Sequence, residues 1–124
     1  MSRAALLLLS SRLAVLALAL AAATAQAMTI REFRALETQE KKNGKAYGSY
    51  YLVGVMEGLR EASDASQRNG QKPPFCVDGR KLEPAMARSL YQTELARHAD
   101  LYEADMPVQL VMANALGTSY RCTH

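Results

Sequence analysis

The residues of this chain best equipped for chemistry are two cysteines, Cys76 and Cys122, two histidines, His98 and His124, and the acidic run Asp100, Glu103 and Asp105. Nucleophilic catalysis needs a Ser, Cys or similar group beside a base that a third residue orients. Neither cysteine lies in a Cys-x-x-Cys pair or near a clear activating partner, and His98 is the only histidine within a helical pattern. Glu94 and His98, at i and i+4, would supply two metal ligands where a site needs three or four. No Gly-rich phosphate loop, haem-attachment pair or calcium-loop pattern occurs. The residues therefore point to a binding protein, not an enzyme, with no cofactor and no metal. The acidic run suits a solvated connection that caps a helix, with binding of a cation or of a basic partner as the functional alternatives.

Two cysteines admit one pairing, and compartment decides whether it closes. Residues 1–27 carry Arg3 and Arg12 at the front, an apolar run from Leu13 to Ala23, and the triplet Ala25-Gln26-Ala27. This is the three-part layout of a secretory signal peptide, and the apolar run is about half the roughly 20 residues that span a bilayer. The sequence thus predicts export, cleavage after about Ala27, no membrane anchor afterwards, and a Cys76–Cys122 disulfide in a single domain over 28–124. No cysteine near the cut offers a site for a lipid. Of the 15 Lys and Arg, 13 remain beyond Arg3 and Arg12 against 12 Asp and Glu, so the formal charge falls from +3 to about +1. That balance argues against nucleic-acid binding. The short cluster Lys41, Lys42 and Lys45 reads as a solvated loop between helices.

The elements that must position these residues are helical. Thr29 and Glu32 form the capping-box pattern, with Ile30, Phe33 and Leu36 as the apolar stripe and Asn43-Gly44 as the expected stop. Residues 46–62 are apolar almost all round, which marks a central helix. Within it Gly54 and Gly58 lie four apart on one face, a pattern that predicts close approach of another helix, in the core or at a dimer seam. Residues 63–75 turn polar, with Asn69-Gly70 and Pro73-Pro74, and read as the longest loop, anchored at its end by Phe75-Cys76. Asp78-Gly79 predicts a turn. Pro84 suits the first turn of a third helix that Met86, Ala87, Leu90, Tyr91 and Leu95 continue to about His98. Asp105 is placed to cap a last helix with Pro107 in its first turn and Val108, Val111, Met112, Ala115 and Leu116 on its buried face. The expected fold is all-α: a small single-domain bundle of four main helices closed by one disulfide, preceded by the signal peptide.

These landmarks follow a recognisable order. A central helix with Tyr51, Gly54, Gly58 and Leu59 precedes Phe75-Cys76, a helix with Leu90-Tyr91, and Ala115-Leu116 before Tyr120-Arg121-Cys122. Over residues 29–122 the chain resembles the Rap/Tai family of type VI secretion immunity proteins. The resemblance implies a small helical periplasmic protein, often a homodimer, whose partner is a secreted peptidoglycan amidase toxin that it blocks at the active-site groove. The expected contact residues are Gln67, Arg68, Asn69 and Gln71 in the long loop, followed by Asp100, Glu103 and Asp105. A protein of the envelope that acts in stress as a chaperone, or as a structural component, is the alternative expectation.

Overall fold

The structure is a computed structural model that describes residues 2–22 and 27–123. The described residues form five α-helices: α1 (Arg3–Ala22), α2 (Ile30–Gln39), α3 (Gly44–Arg68), α4 (Ala87–Arg97) and α5 (Val108–Ser119). Among the described residues no strand forms, and no helix is long and apolar enough to cross a membrane. Residues 25 and 26 of the expected cleavage triplet lie outside the described residues.

Helices α2 to α5 pack as the expected all-α domain, with α3 in contact with α2, α4 and α5, and α4 against α5. Ile30, Leu52, Met56, Val108, Val111, Met112 and Leu116 are all but sealed from solvent. Phe33 and Tyr91 meet edge to face at 5.2 Å inside this core, the geometry their ring quadrupoles favour. The expected disulfide is present: Cys76 and Cys122 have Cα atoms 4.8 Å apart and their sulfurs are bonded.

Thr29 caps α2 as the sequence predicts. Its hydroxyl accepts from the Glu32 N–H at 3.1 Å, and its own N–H donates to the Glu32 carboxylate at 2.7 Å. The remaining helix starts are satisfied differently from expectation. Asp105 does not cap α5; its carboxylate pairs with Arg31, and Pro107 stands at the cap position. The Val108 N–H donates instead to the Met28 carbonyl at 3.0 Å, while the N–H groups of Ile30 and Arg31 donate to the carbonyls of Met106 and Ala104, both at 3.0 Å. The two incoming segments thus satisfy the orphan donors of each other's helices.

Three further boundaries depart from the sequence reading. Helix α2 ends at Gln39, and Gly44 opens α3 where a stop was expected. Helix α3 also runs six residues past Ala62, because the buried Ser63 hydroxyl donates to the Phe75 carbonyl at 2.8 Å and Ser66 bonds back to the Ala62 carbonyl at 3.1 Å. Polar side chains that favour loops when solvated here tie the helix to the following segment. Pro84 begins a single 3₁₀ turn, Pro84–Met86, that leads into α4. At Asp78 and Gly79 the backbone takes the positive φ values that a tight turn requires, 51° and 75°.

Candidate partner-binding surfaces

The residues expected to meet a partner fall at two places on the molecule. Gln67 and Arg68 belong to the last turn of α3, Asn69 caps it, and Gln71 follows a left-handed Gly70 with φ 74°. All four are exposed. The loop is therefore shorter than the sequence suggested, and it is held at both ends: the Gln71 N–H donates to the Ser66 carbonyl at 2.9 Å, and Phe75 is buried beside Cys76. Arg68 also pairs with Glu61 at 2.7 Å, an exposed pair worth little in stability.

Asp100, Glu103 and Asp105 are exposed around the connection between α4 and α5. Among the described residues they do not join His or Cys in any group able to hold a metal ion. Asp105 faces Arg31, as above, so part of the acidic character is already neutralised within the chain.

A third surface is an open groove of about 560 Å³ on α3, lined by Tyr50, Tyr51, Gly54, Val55, Gly58, Leu59 and Gln109. Gly54 and Gly58 were expected to admit another helix, yet a Cβ built on either meets nothing within 4 Å. The close approaches occur at Gly44 and Gly48 instead: a Cβ on Gly44 would lie 2.6 Å from the Leu36 carbonyl oxygen, and one on Gly48 would strike the Glu37 carboxylate. Gly44 and Gly48 are also four apart, so the signal was in the sequence but attached to the wrong pair. Tyr50 is 77% exposed and Tyr47 49%, unusual for aromatic side chains on a central helix. At the groove's edge the Gln109 amide nitrogen donates to the Tyr51 hydroxyl at 3.0 Å, and its carbonyl oxygen is sealed without a partner among the described residues.

Helical spacing puts Tyr47, Tyr50, Gly54, Gly58, Glu61 and Arg68 on one exposed face of α3. The groove and one expected contact residue, Arg68, therefore share one face about 30 Å long, at 1.5 Å per residue, whereas Gln67 turns away from it and Asn69 and Gln71 lie beyond the helix. Sequence reasoning singled out Gly54, Gly58 and Arg68 on this face but not its exposure. In comparisons with protein-family models, with curated proteins and with solved structures, no match to this chain is found.

Proposed function

We propose that this protein is a periplasmic immunity protein that binds a secreted peptidoglycan amidase and occludes its active-site groove. The observation that carries the reading is the unfilled, aromatic-rimmed face of α3 on a disulfide-closed bundle. Each helical glycine costs roughly 1 kcal/mol relative to alanine, and at Gly54 and Gly58 no packing against the described residues offsets that cost. A partner that needs close approach would offset it. Exposed tyrosines beside such a recess are the side chains that most often anchor protein interfaces. The order of landmarks shared with the Rap/Tai family and the expected export to the compartment of the cell wall support the same reading.

The test is a pull-down of the oxidised protein against cell-wall amidases of the same genome, paired with a deletion strain exposed to sister cells. Binding that Gly58→Leu abolishes, with loss of protection in the deletion strain, is the expected result. No binding together with full survival would overturn it. The same apolar groove also suits an envelope chaperone. That alternative predicts suppression of client aggregation at low pH with no amidase bound, and light scattering on Gly58→Leu reports whether a homodimer uses this face.

A further inference from the structure

On the far side of α4 from α2, a cleft of about 150 Å³ opens between α4 and α5. Its lining is about half polar, with Glu94 and Arg97 beside the hydroxyl-bearing Ser89, Thr93, Thr118 and Ser119. Glu94 is only 5% exposed, and a buried carboxylate is costly unless its oxygens are satisfied. Tyr102 donates to one of them, Oε1, at 2.6 Å, and is itself held by the Asn114 amide at 2.9 Å. Among the described residues, no donor is bonded to the other oxygen. Burial first, then the hydrogen bond to Glu94, raises the pKa of Tyr102, so the phenol remains a proton donor to the carboxylate.

Arg97 follows one helical turn later, three residues on, a spacing at which opposite charges commonly pair. The two do not pair here, and no carboxylate among the described residues lies within ion-pair distance of Arg97. Glu94, with one oxygen bonded to Tyr102 and the other open to the cleft, and the unpaired Arg97 thus line the same small cleft.

We propose that this cleft binds a small zwitterionic α-amino acid, with its ammonium on Glu94 and its carboxylate on Arg97. Side chains three apart on a helix are neighbours on one face, so the ammonium and carboxylate of one α-amino acid, borne on the same carbon, can each meet one of them. A cavity of about 150 Å³ holds a molecule the size of benzene, about six heavy atoms, which is also the size of alanine. Leu90 and Ala115 supply apolar wall for its methyl group. The guanidinium offers the carboxylate a two-pronged contact, and the hydroxyls can serve either end.

The test is an amide NMR titration of the oxidised protein with glycine, L-alanine and D-alanine, beside ethylamine and propionate as half-ligands. Saturable shifts at Thr93, Glu94 and Thr118 are expected for at least one amino acid, with both half-ligands at least about tenfold weaker, since a charge-assisted hydrogen bond is worth that much. The two hands of alanine separate a cell-wall source from a metabolic one. Arg97→Gln, at an exposed position, should weaken alanine about tenfold and leave ethylamine unchanged, and Glu94→Gln should do the reverse with propionate as the unchanged probe. Absence of saturable shifts would overturn the proposal, as would ethylamine binding as tightly as alanine, which would reveal a simple cation site.

Discussion

At Gly44 an added Cβ would lie 2.6 and 2.9 Å from the carbonyl oxygens of Leu36 and Glu37, backbone atoms that cannot swing aside. Gly44→Ala should therefore cost about 1–3 kcal/mol, the range for overpacking a tight site. Gly54→Ala and Gly58→Ala meet open space, and each should stabilise the isolated protein by roughly 0.5–1 kcal/mol. Urea unfolding of the three variants checks the opposed signs. Tyr91 presents a second single-residue case. Its hydroxyl is buried without a partner among the described residues, and burial, chiefly, pushes its pKa up to about 12 from 10.0. An unfolded chain releases this proton first, so the stability tied to it is whole below pH 10 and is lost as pH rises toward 12. Tyr91→Phe should unfold at an equal or higher urea concentration than the parent at neutral pH, and should lose less stability between pH 9 and pH 11.

Among the elements, one side chain joins three helices. The Arg88 guanidinium on α4 donates to the Glu37 carboxylate on α2 at 2.5 Å, to the Ser49 hydroxyl at 2.9 Å and to the Lys45 carbonyl on α3 at 2.8 Å. Both charges are largely covered, with side chains 27% and 20% exposed. Removal of one partner would leave the other poorly solvated, so Arg88→Ala should cost about 2–3 kcal/mol. Arg88→Lys should recover little, because an ammonium cannot reproduce the planar fork. Gly48 belongs to the same unit: its missing Cβ leaves room for the Glu37 carboxylate. Gly48→Ala and Glu37→Ala should accordingly be non-additive in a double-mutant cycle on urea stability, whereas Gly48→Ala with Gly58→Ala should simply add.

For the whole molecule, a domain of this size has a limited margin of stability, and its C-terminal segment is held by more than the disulfide. Arg80 donates to the carbonyls of Val77 at 3.1 Å and Arg121 at 2.9 Å, and also to that of Cys76. It also lies 5.4 Å from the ring of Tyr120, whose hydroxyl donates to the Lys81 carbonyl. The bridge closes a long loop, with the cysteines 46 residues apart in sequence, a constraint that a chain-entropy account values at roughly 4 kcal/mol. Reduction should lower the unfolding free energy by about 2–4 kcal/mol, measured with and without reductant. With Arg80→Ala added, the reduced protein should lose the packing of Tyr120 before the rest of the core, seen as early amide exchange at Cys76, whose N–H donates to the Tyr120 carbonyl at 2.8 Å.

The sequence by itself determined what is local or a matter of counting: four helical segments between residues 29 and 120, the Thr29 capping box, the Asp78-Gly79 turn and the single cysteine pairing. Tertiary structure decided which faces were covered. Periodicity groups Gly54 with Gly58 and Gly44 with Gly48 equally well, and only the passage of α2 across the start of α3 buries the second pair and leaves the first open. The composition of residues 63–68 signals a loop until the Phe75 carbonyl provides Ser63 with a buried acceptor. Asp105 is a competent cap until Met28, far away in sequence, reaches the Val108 N–H. Glu94 is an ordinary helix-surface residue in the sequence, and α5 with Tyr102 makes it a buried carboxylate. Each of these outcomes depends on partners distant in the chain, which side-chain periodicity can orient but cannot supply.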